Sequence, residues 1–164
     1  VVLPKLAEVR MMSLAWATKH NVHKPQDFKN KEETYAARNA NSTWGLSLEV
    51  PEAPRFYPFA GMKDLDAVLD DVAGTPVVVV RDAGASLAGA FDRRVGGAAL
   101  AFEVVSGTRP ELRERGGSRA WYLRSGAPVA GTGADAPLRP LPATHFERNA
   151  WEAQHPSGST WRRP

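Results

Sequence analysis

Four histidines, His20, His23, His145 and His155, are the residues of this chain with an ordinary pKa near neutrality, so acid–base work or metal ligation would start from them. His20-x-x-His23 has the spacing that brings two imidazoles onto one helical face. Lys19 and Lys24 flank it and would repel a metal ion, so a solvated helix terminus is the favoured reading. Trp16/His20 and Trp151/His155 are i, i+4 pairs close enough for ring contact on a helix, and they read as packing rather than as a haem or pigment pocket. Asp64, Asp66, Asp70 and Asp71 crowd a stretch that reads as a short helix. They lack the loop spacing of a calcium site and are expected to form a solvated acidic face. No Gly-x-Ser-x-Gly nucleophile elbow occurs, and the absence of cysteine removes thiolate catalysis, disulfides and thiolate metal sites together.

The remaining candidate is an arginine, and it depends on a hairpin. Gly96-Gly97 supplies the positive φ values of a two-residue turn, so Leu87 to Val95 and Ala98 to Val105 are expected to pair with position numbers summing to 193. That register sets Phe91 against Phe102, Arg93 against Leu100 and Val95 against Ala98 on one face, with Asp92, Arg94 and Glu103 on the other. Arg93 is then a guanidinium among apolar neighbours. It either reaches past Phe91 to a carboxylate such as Asp82 or Glu103, or joins Arg94 in presenting donors to an anion or an acidic partner.

The elements that position these groups follow from hydrophobic period. Leu6, Val9, Met12 and Trp16 mark a helical face, and Lys29 to Ala40 is a second helix candidate, so residues 1–40 read as a helical arm. From Trp44 the period becomes two: Trp44, Leu46, Leu48 and Val50 alternate with Gly45, Ser47 and Glu49 as a half-buried strand. Arg55 to Phe59 reads as a short edge strand limited by Pro58, and Lys63 to Asp71 as a brief helix. Val77 to Val80 has no alternation and reads as a central strand covered on both faces. An arginine- and glutamate-rich loop over 107–117 leads to a strand holding Trp121 and Tyr122. Prolines 137, 140 and 142 stiffen a connection, and His145 to His155 closes the chain as a helix capped by Thr144. The expectation is an α+β chain: a mainly antiparallel sheet or barrel-like body over 41–164, with an N-terminal helical arm and a C-terminal helix.

Net charge of +3 over 164 residues is too small an excess to point to nucleic acid. All six lysines precede residue 64, and the rest of the chain uses only arginine as its basic residue. No run approaches the ~18 apolar residues of a membrane span, so membrane association would come only through a partner or an anchor outside the chain. The start at Val1 rather than Met reads as a trimmed product whose address signal has been removed.

Phe56-Tyr57-Pro58, Gly74-x-Pro76-Val-Val-Val, Ala90-Phe-Asp-Arg-Arg-Val-x-Gly97, Gly117-Ser118-x-x-Trp121 and Thr144-His145-Phe146 follow one another in an order that resembles a family of uncharacterised, mostly secreted prokaryotic domains. The resemblance runs from Trp44 to His155. It implies a β-rich body and an extracytoplasmic location, periplasmic or secreted, but no activity. Ser118 with His145 is the one hydroxyl–imidazole pair it brings to mind. Many members carry Cys-Pro-x-Cys after the valine-rich strand, where this chain has Arg81-Asp82-Ala83-Gly84, so no thiol role carries over.

The functional expectation is a non-catalytic domain that acts by protein–protein contact, as an accessory subunit of a larger assembly, with no catalytic residue, metal or cofactor. Met11, Met12 and Trp16 on the arm would anchor the partner, and Arg93, Arg94, Trp121 and His145 form the candidate anion or partner site. The alternative is a small-molecule or anion-binding enzyme with its pocket near Arg93, Trp121 and His145.

Overall fold

A computed structural model describes residues 43–164. The expected arm, with Met11, Met12, Trp16, His20 and His23, lies outside them. Alternation of apolar and small residues gives β1 (Trp44–Leu48), and β2 (Arg55–Pro58) returns antiparallel to it with Leu46 opposite Tyr57. β2 is not the edge strand its proline suggested. Phe56 and Tyr57 are both fully buried, and the C-terminal segment pairs with the far side of β2.

The stretch expected as a helix from Lys63 is an eight-residue strand, β3 (Leu65–Val72), turning tightly into β4 (Thr75–Asp82). Leu65, Val68, Leu69 and Val72 satisfy a helical period, but Val68 and Val72 also share one strand face while Leu65, Ala67 and Leu69 share the other. Ala73 and Gly74 take φ values of 50° and 77°, the left-handed pair that closes a two-residue hairpin, and β4 then captures β3 along its whole length. β5 (Leu87–Asp92) pairs with the other side of β4.

Gly96 and Gly97, at φ 59° and 85°, make the expected turn between β6 (Arg94–Val95) and β7 (Ala98–Ala99), in the expected register. The hairpin is shorter than expected. Beyond the Arg93–Leu100 backbone bond of 2.9 Å its arms part. β5 stays with β4, and β8 (Phe102–Val105) pairs instead with β9 (Glu111–Glu114), which occupies the expected arginine-rich loop. Phe91 thus faces Val78, and Phe102 faces Glu114; the two rings meet the same core from different sheets. β10 (Ala120–Tyr122) completes this outer sheet.

The proline-rich connection supplies β11 (Arg139–Pro140) at the edge of the central sheet, where a missing amide is tolerated. The expected closing helix is divided: Ala143–Glu147 is a strand, β12, paired with β1, and only Arg148–Gln154 is helical, α1. Glu147, not Thr144, caps it by accepting from the Ala150 amide at 3.0 Å. Ser159–Thr160 forms β13, parallel to β2.

The sheets stack in three layers and none closes into a barrel. The central sheet runs β11-β5-β4-β3, with β12-β1-β2-β13 on one face and β10-β9-β8 on the other. β4 explains the stacking. Val77 and Val79 enter the first core with Leu46, Leu48, Tyr57 and Trp161, while Val78 and Val80 enter the second with Phe102, Leu112 and Trp121. A strand greasy at every position is what a doubly covered sheet requires.

α1 covers the remaining face of the β1–β2 sheet. Trp151 stacks on Phe56 with ring centroids 5.2 Å apart and donates to Ser47 Oγ at 2.8 Å. Gly45 is needed beneath it, since a Cβ there would overlap the Phe56 ring and the Tyr57 carbonyl. The β3 edge is blunted by its own aspartates: Asp66 Oδ1 accepts from the Ala67 amide at 3.1 Å, and Asp70 Oδ1 from the Asp71 amide at 2.8 Å.

Candidate functional site

The acidic residues are not a solvated cluster. Asp66 and Asp70 are largely buried on one face of β3, and each has its own cation, Arg163 for Asp66 and Arg55 at 3.0 Å for Asp70. Asp70 also accepts from the Tyr57 hydroxyl at 2.9 Å. Burial and the neighbouring Asp70 carboxylate push the Tyr57 phenol far above its usual pKa, so it remains a proton donor. Asp64 lies before the strand, 3.6 Å from Arg81, and Asp71 accepts from the Gly74 amide at 2.8 Å in the β3–β4 turn.

Arg93 has neither carboxylate that was expected for it. Its Nη1 donates to the Leu100 carbonyl at 2.9 Å, and its Nε is buried without a partner among the described residues. Arg94 is engaged as well. Its Nε and Nη2 grip Asp92, at 3.1 and 2.7 Å, and Arg139 Nη2 reaches the same carboxylate at 2.6 Å. The Arg94 hydrogen bonds, assisted by Arg139, hold the Asp92 carboxyl far below the ordinary carboxylate range despite its burial.

A pH dependence follows. Because its folded pKa is depressed, Asp92 stabilises the protein fully above the unfolded value, ~3.9, and that contribution fades as pH falls toward the folded value. Asp92→Asn is expected to cost about 2 kcal/mol at neutral pH, the scale of a lost charge-assisted network whose arginines remain hydrated. Urea unfolding of both proteins at pH 7 and at ~pH 3 should show the gap narrowing in acid. An equal gap at both pH values would mean that the ion pair is not its source.

Trp121, expected near the surface of a pocket, is fully buried in the second core, edge-on to Phe102 at 5.6 Å, with Nε1 donating to the Ala136 carbonyl at 2.9 Å. Ser118 and His145 belong to opposite outer layers, and Ser118 Oγ donates to the Thr132 carbonyl at 3.3 Å, so the hydroxyl–imidazole pair does not exist. Trp151 and His155 do meet as rings, 5.2 Å apart, with His155 Nε2 3.7 Å from Glu49.

Of the candidate side chains only His145 borders a described cavity. That cavity, of about 250 Å³, lies between β12 and the turn joining β4 to β5, and is lined by Phe59, Arg81, Ala83, Ser86, Leu87 and His145. It contains neither Arg93 nor Trp121. His145 lies edge-on to Phe59, ring centroids 5.4 Å apart, and Arg81 stacks over the same Phe59 ring, its guanidinium 5.2 Å from the centroid. Arg81 gave no separate signal in sequence, since it ends the buried valine run and its acceptors, the carbonyls of Phe59, Met62 and Lys63, come from a turn some twenty positions earlier.

Two features of β12 accompany the cavity. β12 ends its sheet, and the bonds from the Arg148 amide to Thr43 and from the Glu49 amide to Pro142 set Thr144 and Phe146 as the residues bonded to β1. The amides of His145 and Glu147 therefore point away from the sheet. Trp44 sits diagonally across from His145 on the same face and is 48% exposed, the large apolar side chain left open among the described residues.

No family model, curated protein or solved structure matches the chain. No helix among the described residues is long and apolar enough to cross a membrane.

Proposed function

We propose that the chain is a non-catalytic extracytoplasmic module that acts by protein–protein contact, as an accessory subunit of a larger, membrane-associated assembly. The supporting observation is the open β12 edge beside the exposed Trp44. Outward amides at His145 and Glu147 offer ladder hydrogen bonds to an extended segment of another subunit, and Trp44 offers an aromatic anchor next to them. The extracytoplasmic part of the reading rests on the resemblance to secreted domains.

The buried polar groups fit a binding role. Ser47, Asp66, Asp82 and Asp92 each have a structural partner: Trp151, Arg163, Arg124 and the Arg94–Arg139 pair. Hydrogen bonding by Arg124 holds the Asp82 carboxyl below its usual range, which leaves an ionised acceptor rather than a proton carrier at neutral pH. The competing enzyme reading needed Arg93, Trp121 and His145 around one cavity, and the described cavity has only the last.

The test uses the tagged full-length chain in its own membrane extract. Native mass measurement should show the wild type in a larger species, and both Trp44→Glu and His145→Pro should release it as a monomer with unchanged unfolding midpoint. Proline at an outward edge amide removes a donor to the partner without removing a bond of the sheet. A wild-type chain that runs only as a free monomer sinks the proposal.

A further inference from the structure

We infer that the cavity beside β12 binds a small carboxylate attached to an apolar ring or chain, held by Arg81. The arginine is built for this before any ligand arrives. Its Nη1 donates to three backbone carbonyls, Phe59 at 3.3 Å, Met62 at 3.2 Å and Lys63 at 3.1 Å, while the guanidinium plane rests over the Phe59 ring. Those contacts immobilise one nitrogen. Nε and Nη2 make no hydrogen bond among the described residues, and that pair of nitrogens is one that can meet a carboxylate in bidentate fashion.

The charge suits a monoanion. Asp64 is the carboxylate near Arg81, but at 3.6 Å with 92% of its side chain in water it is strongly hydrated and offsets little of the guanidinium charge. Among the described residues no other lysine or arginine lines the cavity. A doubly charged phosphate would find a single cation there, whereas one carboxylate matches one guanidinium.

The rest of the lining selects an apolar body. Phe59 and Ala83 provide hydrocarbon walls, and the edge-on His145 ring and Ser86 provide further polar groups. The space, about 250 Å³, is ample for a six-membered ring, since an apolar cavity of ~150 Å³ takes up benzene. The same chemistry is offered by a free aromatic acid and by a protein chain ending in an apolar residue.

This inference goes beyond the contact proposal, because binding is read on the purified chain alone and complex formation in the extract is read separately. Amide spectra of the full chain are titrated with benzoate, with its neutral isostere benzamide, and with a tetrapeptide ending in phenylalanine as free acid or as amide. Benzoate should shift the amides of residues 83–87 and saturate with a dissociation constant on the order of 1 mM, and benzamide should bind at least ~10-fold more weakly. Ala83→Trp, which narrows the cavity from a lining position that makes no bond to Arg81, should weaken benzoate ~10-fold or more while leaving the unfolding midpoint in place. Arg81→Lys should weaken it by a similar ~10-fold factor, because an ammonium cannot make the bidentate contact.

Tighter binding of the free-acid peptide than of benzoate assigns the site to chain ends, and the reverse order assigns it to small acids. Either order upholds the shared chemistry. Equal binding of benzoate and benzamide, no saturable shift at residues 83–87, or full benzoate affinity in Ala83→Trp would overturn it.

Discussion

Trp121→Ala is expected to destabilise the protein by about 3–5 kcal/mol, the range for removing a fully buried large aromatic. The side chain has no exposed surface, meets Phe102 edge-on, and holds the Ala136 carbonyl through Nε1. Its loss opens a cavity at the middle of the second core, under Val78 and Val80, and strands that carbonyl. Urea unfolding should show a lower midpoint with an unchanged slope. Were Trp121 a ligand-facing residue on a surface, the same change would cost less than ~0.5 kcal/mol, and that result would contradict the layered core.

Trp151→Ala is expected to cost about 3–5 kcal/mol as well, by a different route. Trp151 is the buried residue of α1, and the helix has only seven residues, too few to persist without tertiary anchoring. Truncation removes the stack on Phe56 and the bond to Ser47, so the helix should loosen while the two cores stay formed. Amide exchange is the discriminating measurement. Protection should fall across 148–155 and remain across 77–80; uniform loss across both would show that helix and cores open as one unit.

The parts of the fold legible in sequence are those where one residue run admits one explanation. Val77 to Val80 could only be a doubly covered strand, and Gly96-Gly97 could only be a tight turn with its register. Lys63 to Asp71 failed because Leu65, Val68, Leu69 and Val72 satisfy two periods at once, and the choice is made by β4, not by the segment. The hairpin arms failed in another way: local turn chemistry was right, but it cannot reveal that β5 stays with β4 while β8 pairs along its whole length with β9.

The candidate site was legible only at His145. Arg93 stood out as a charge among apolar neighbours and Arg94 as a second donor beside it, yet one bonds a carbonyl across its own turn and the other shares Asp92 with Arg139, 47 positions away from that aspartate. Trp121 reads in sequence as part of the anion or partner site because aromatic type says nothing of depth. Arg81 was hidden for the converse reason. Its role depends on a turn, a strand and a hairpin converging from three stretches of chain, which spacing alone does not encode.

The long-range pairing that completes the β1–β2 sheet has a bearing on how the polypeptide is made. Ser47 and Trp151 lie 104 positions apart, and both flanks of that sheet, β12 and β13, are synthesised long after β1 and β2. A nascent chain therefore carries the strands of Leu46, Leu48 and Tyr57 without lateral support until β12 and β13 have been made. Such a chain invites chaperone capture until those two strands emerge and close the layer, and pairings of such long sequence separation are expected to make its maturation slow.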